Sequence, residues 1–207
     1  MKNSKKILKT ILIFAMILYF VSNSFVISAH AADQTARVTK QVNTYMTAIK
    51  KYDINKIKKM LIDKDVLHVT DKTAQKHIRK INRECLNYEI RSVKVRGKSA
   101  SVKIHVRQYN GRQDFEWALR DIFLSYHKLS SGNQVIKKLN KGLHDYYHPE
   151  DEDAYLQYNI NIKLTKKGNQ WMINRMDKKT VQFKDARLAY FFEDFAKHPN
   201  RYLYVIL

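Results

Sequence analysis

From residue 38 onward apolar positions recur every three or four residues: Val38, Val42, Tyr45, Met46 and Ile49. That spacing lines one side of a helix and predicts an amphipathic helix over 35–50. A break at Lys51–Asp53 leads into a second, short helix with Ile54, Ile57, Met60 and Leu61 inward. Asp53 is placed to cap it, because a carboxylate there accepts from the N–H groups that the first turn leaves free. A third helix is predicted from about Thr73 to Cys85, with Ala74, Ile78, Ile81 and Cys85 in phase. On that face Cys85 reads as a buried core thiol.

The period then drops to two. Over 99–109, Ala100, Val102, Ile104 and Val106 face one way, while Ser101, Lys103, His105, Arg107 and Tyr109 face the other. This is the alternation of a half-buried antiparallel strand. The strand before it, 86–96, changes phase: Tyr88 and Ile90 are even, Val93 and Val95 odd. A β-bulge near Arg91-Ser92 reconciles the halves, and Gly97-Lys98 suits a type II′ turn with glycine first. Helical spacing returns over 114–147 in two stripes separated by Ser130-Ser131-Gly132. The first holds Phe115, Ala118, Leu119, Ile122, Tyr126 and Leu129; the second holds Val135, Ile136, Leu139 and Leu143. A second hairpin follows, with Leu156, Tyr158, Ile160, Ile162 and Leu164 on one side of its first strand. Lys167-Gly168-Asn169 turns the chain into a strand carrying Trp171 and Ile173. A last helix over about 185–197, with Leu188, Phe192 and Phe195 inward, ends before Pro199. The apolar tail from Tyr202 to Leu207 suits an edge strand.

The predicted class is therefore α+β. N-terminal helices pack on a curved antiparallel sheet, a helical insertion over 114–147 separates two hairpins, and residues 185–207 add a helix and a tail. No internal repeat or low-complexity linker interrupts 32–207, so a single domain is expected there. The first 31 residues have another character: Lys2, Lys5, Lys6 and Lys9, an apolar run from Ile11 to Val21, and Ala29-His30-Ala31 at the exit. Basic end, hydrophobic middle and small-residue exit make up a signal peptide. Residues 11–29 also suffice for an uncleaved anchor. On either reading the folded part is expected outside the cytoplasm, secreted or held at the envelope.

Composition narrows the class. Of 207 residues 44% are hydrophobic, with one Cys, 5 Gly and 2 Pro. This excludes a disordered chain, a disulfide scaffold and a collagenous one. The net charge of +20 is unevenly spread: residues 32–113 hold 20 Lys+Arg against 7 Asp+Glu, and residues 114–207 hold 15 against 12. On the first hairpin Lys94, Arg96, Lys98, Lys103, His105 and Arg107 form a predicted polyanion-binding face. The second helix adds Lys56, Lys58 and Lys59; the third adds Lys76, Arg79, Lys80 and Arg83. Outside a cell the partners such a face implies are an anionic cell-wall polymer or lipid headgroups. A protein partner held by the apolar tail is a further option. Export and the lack of a stacking-aromatic motif argue against nucleic acid.

Signals for chemistry are few. There is no Gly-rich phosphate loop and no nucleophile elbow, so no cofactor and no catalytic residue are implied. His144 and His148 stand four apart like a metal-binding pair, but Pro149 draws His148 out of helical geometry. The acidic run Glu150–Asp153 lacks the glycine and alternation of a calcium loop. Both read as a solvated helix end followed by an acidic turn. Tyr45, Tyr88 and Tyr158 face inward as core aromatics with satisfied hydroxyls.

Three stretches resemble a known family: "VTKQVNTYMTAIKKYDINKIKKML" as a helix pair, "VRGKSASVKIHV" as a central hairpin and "LTKKGNQWMINR" as a closing hairpin. Together they are similar to nuclear transport factor two-like proteins, and among them to exported bacterial members. The resemblance implies a cone in which helices close over a curved sheet. It leaves two functions open, because this cone serves binding and assembly as well as isomerases and dehydratases. The first is a non-enzymatic envelope module presenting its basic surface to a polyanion. The second is a small-molecule binder or enzyme using the cone's interior, for which no acid/base motif of the enzymatic members aligns with this chain.

Overall fold

The computed structural model describes residues 32–64, 66, 68–124 and 132–174. The expected signal segment 1–31, Tyr126, Leu129, the helix over 185–197 and the tail to Leu207 lie outside the described residues. Helix α1 runs over 32–50. It is followed by α2 (Ile54–Met60), α3 (Lys72–Cys85), β1 (Asn87–Arg96) and β2 (Ser99–Tyr109). Then come α4 (Gly111–Leu124), α5 (Gly132–Asp145), a 3-10 turn (Glu152–Ala154), β3 (Tyr155–Lys167) and β4 (Gln170–Ile173). The four strands form one antiparallel sheet in the order β1-β2-β3-β4, which makes the chain an α+β protein. Among the described residues no helix is long and apolar enough to cross a membrane.

Local chemistry sets the element ends. Asp53 Oδ1 accepts from Lys56 N at 3.0 Å and caps α2; Asp71 Oδ1 accepts from Ala74 N at 2.7 Å and caps α3. Between α1 and α2 the chain reverses at Tyr52, whose φ of 49° lies in the left-handed region. That region costs a non-glycine residue roughly 1 kcal/mol. Here the ring is buried and its hydroxyl accepts from Val69 N at 3.0 Å, which offsets the strain. The register of β1 against β2 slips between Ile90 and Ser92, so Arg91 is the extra residue of a bulge, as the phase change requires. Gly97 adopts φ +57° while Lys98 does not enter positive φ, the pattern of a type II′ turn.

Two apolar clusters result. In the first, Val38, Val42, Met46 and Ile49 of α1 and Ile57 of α2 pack on the inner face of the sheet. That face supplies Val102, Ile104, Val106, Ile160, Ile162, Leu164, Trp171 and Ile173. In the second, α3, α4 and α5 meet around Tyr52, Tyr109 and Phe115. Helices α4 and α5 approach so closely at Gly142 that an added Cβ there lies 2.6 Å from Ala118 Cβ. Alanine has the higher helix propensity, by about 1 kcal/mol. Gly142→Ala is nevertheless expected to destabilise the protein by about 1–3 kcal/mol, because two helix backbones must part. A thermal midpoint equal to or above that of the parent protein counts against this contact.

Candidate functional site

Strand pairing puts every second residue of β1, β2 and β3 on the sheet's outer face, opposite α1 and α2. Lys94 stands beside Ser101, and Ser101 beside Lys163; one row on, Ser92, Lys103 and Asn161 align. Lys94, Arg96, Lys98, Lys103 and Lys163 are all exposed. With strands roughly 4.8 Å apart, Lys94 and Lys163 flank the central strand at about 10 Å, with Lys103 one row along. None of these three has a carboxylate partner among the described residues. The face's acids are already engaged: Glu89 Oε2 lies 2.9 Å from Arg91, and Glu152 Oε2 lies 2.5 Å from Arg107.

The six predicted site residues therefore divide. Lys94, Arg96, Lys98 and Lys103 are exposed cations as expected, while His105 and Arg107 are half-buried and engaged. Arg107 lies 3.4 Å over the ring of Tyr155, and its bond to Glu152 raises its pKa further. The acidic turn after α5 folds back against the ends of β2 and β3, which takes this guanidinium out of the free basic surface. His105 sits between amides, with Nδ1 3.2 Å from Asn159 Oδ1 and Nε2 3.3 Å from Gln157 Oε1. Ser101 Oγ donates to Asn161 Oδ1 at 2.6 Å. Lys163 and the row Gln157, Asn159 and Asn161 were not predicted as site residues. Their alternation with Leu156, Tyr158, Ile160 and Ile162 is visible in the sequence, but their place beside β2 depends on strand order.

Between the sheet and helices α1 and α2 the described residues pack into one apolar cluster. Tyr45 is buried, and burial raises its phenol pKa. Tyr88 donates to Asn43 Oδ1 at 3.0 Å and Tyr158 to Gln108 Oε1 at 2.7 Å, so both hydroxyls are satisfied. The inner residues of β2 and β3 meet α1 and α2 directly. A shallow depression of about 510 Å³ lies on the outside, between Thr39, Asn43, Thr47 and Lys56. Its threonines donate back to their own helix, Thr39 to Thr35 O and Thr47 to Asn43 O, and converge on no common point.

One buried polar group stands out in the second cluster. Asp114 is 4% exposed, and its Oδ1 accepts from Tyr109 OH at 3.0 Å. The same phenol oxygen accepts from His148 N at 3.2 Å. Oδ2 has no partner among the described residues, and burial pushes the carboxyl up to about 7. Nearby, Cys85 is buried with Sγ 3.0 Å from Tyr147 OH, which in turn lies 3.1 Å from Glu84 Oε2. His144 and His148 do not share a helical face, since α5 ends at Asp145. His148 Nδ1 instead lies 3.0 Å from Glu150 Oε1.

No family model matches the chain, and no curated protein does. Among solved structures it is similar to an NTF2-like protein of unknown function from Pseudomonas putida. The two share 12% identity at a TM-score of 0.35, over 72% of this chain and 92% of that one. It is also similar to a protein of unknown function from Mycobacterium tuberculosis, at 10% identity and a TM-score of 0.38, over 81% of this chain and 90% of that one. The first bears the family name that the sequence resembles. Neither brings a site or an activity, and the α+β architecture rests on this chain's own elements.

Proposed function

We propose that this chain is an exported binding module of the bacterial cell envelope whose outer sheet face meets an anionic polymer. The observation that carries this reading is the trio Lys94, Lys103 and Lys163, exposed on three adjacent strands with no carboxylate partner among the described residues. Such a face draws polyanions by counterion release and long-range attraction. The signal-like segment 1–31 supports a place outside the cytoplasm, where wall polymers supply that charge. The apolar cluster between the sheet and α1 and α2 supports placing the polar, charged site on the sheet's exterior.

The test is release of the full chain from isolated envelopes by salt, with Lys94→Glu, Lys103→Glu and Lys163→Glu combined. Parent protein is expected to bind at low salt and to leave steeply as salt rises. The triple variant is expected to lose at least about tenfold in affinity, since three phosphate contacts are reversed. Equal retention of the two proteins, with equal circular dichroism, overturns the proposal. Arg107→Glu belongs in the same series as a contrast: its effect is expected on folding, because it breaks the Glu152 pair and the stack on Tyr155.

A further inference from the structure

The lysine trio shares its face with a second chemical feature. Directly along β2 and β3 from the cations lie Ser101, His105, Gln157, Asn159 and Asn161, which bond to one another across the strands. The amides and the Ser101 hydroxyl are uncharged, and each can donate or accept. Their mutual bonds hold them in place, so little side-chain freedom remains to be lost when a ligand exchanges for them. A ligand of charge alone has no use for such a row. Vicinal hydroxyls do, because each hydroxyl both donates and accepts and can replace an amide partner on either side.

Other polyanionic surfaces fit the face less well. Single-stranded nucleic acid needs aromatic platforms for its bases. The aromatic ring at this end of the sheet, Tyr155, is covered by the Arg107 guanidinium at 3.4 Å. A lipid bilayer holds a protein surface through apolar side chains as well as cations. The exposed large apolar residues among those described are Ile62, Trp117 and Leu124, and none lies on these strands.

We infer that the outer face of β1–β3 is a two-part site for a polyol or sugar phosphate polymer. Lys94, Lys103 and Lys163 take the phosphates, and the amide row takes the hydroxyls of the repeat. This rests on the proposed polyanion reading and narrows it to one ligand chemistry.

The experiment measures binding of the full chain to four probes at equal anion concentration. These are inorganic polyphosphate, poly(glycerol phosphate) bearing glucosyl groups, phosphatidylglycerol vesicles and single-stranded DNA. The glucosylated polymer is expected to bind about tenfold tighter than polyphosphate, the effect of one or two net hydrogen bonds. Asn159→Ala with Asn161→Ala is expected to erase that preference while leaving polyphosphate binding within about twofold. Ser101→Ala, a milder change on the same face, is expected to reduce the preference in part. Lys94→Gln, Lys103→Gln and Lys163→Gln together weaken both polymers. Equal binding of the two polymers, or a preference that survives in both amide-row variants, overturns this inference and leaves the polyanion reading standing. Tighter binding to vesicles or DNA also overturns it. Binding to none of the four overturns both.

Discussion

Replacing Asp114 with asparagine is expected to flatten the pH dependence of this protein's stability between about pH 4 and 7. The carboxyl ordinarily titrates near 3.8, and burial pushes it up to about 7 in the fold. Below 3.8 it is protonated in both states. From there to about 7 the unfolded chain has released the proton that the folded chain keeps, so stability falls as pH rises. Above 7 both states are ionised and the penalty is constant. Three units of difference set its ceiling at about 4 kcal/mol. Tyr109 OH, bonded to Oδ1, opposes the rise, as does the charge of His148. An asparagine keeps the Oδ1 acceptor for Tyr109 and cannot ionise. At pH 8 the variant is expected to be about 1–3 kcal/mol more stable than the parent relative to the same comparison at pH 4. Urea denaturation at the two pH values checks this. A difference between the two proteins that does not change with pH would falsify the buried-carboxyl account.

Phe115→Ala is expected to cost about 3–5 kcal/mol, a large share of the stability of an ordinary domain. Phe115 is fully buried where α4 leans on α3, α5 and the end of β2, within the cluster that includes Ile78, Ile81, Tyr109, Leu139 and Leu143. Removing the ring leaves a hole with helix backbone on several sides, and the close approach at Gly142 leaves α4 and α5 little room to move in and fill it. Phe115→Leu keeps most of the volume and is expected to cost less than half as much, about 1.5 kcal/mol. Chemical denaturation separates the two. A loss below about 1 kcal/mol for the alanine variant means that the site collapses freely and that the second cluster is not tightly built.

Much of this architecture was legible in the sequence because local spacing reports local geometry. The stripes Val38–Ile49 and Ala74–Cys85 are buried as their period demands, and Asp53 caps α2. Tyr52 escaped notice because a left-handed position ordinarily calls for glycine, and nothing in its neighbours announces a buried tyrosine there. The candidate site was legible only in part. Alternation along β2 gave Lys103 its direction, whereas the partners of Arg107 and Ser101 lie 45 and 60 residues away in sequence. No periodicity carries across such a distance, so the cancellation of Arg107 by Glu152 and the arrival of Lys163 could not be read. Asp114 was hidden for a related reason. At the first turn of a helix an aspartate looks like an ordinary surface acid, and only the return of the chain at Tyr146–His148 encloses it.

Arg91 has a role that its own charge does not suggest. Strand parity is binary, and one additional residue reverses it for everything downstream. With β1 unbroken, Ser92, Lys94 and Arg96 would continue the inward series of Tyr88 and Ile90, while Val93 and Val95 would point to solvent. Because the register slips at Arg91, the valines enter the core and the two cations emerge beside Lys103 and Lys163. The electrostatic character of this surface is thus decided by chain counting, through a single inserted position, as much as by which side chains the sequence contains.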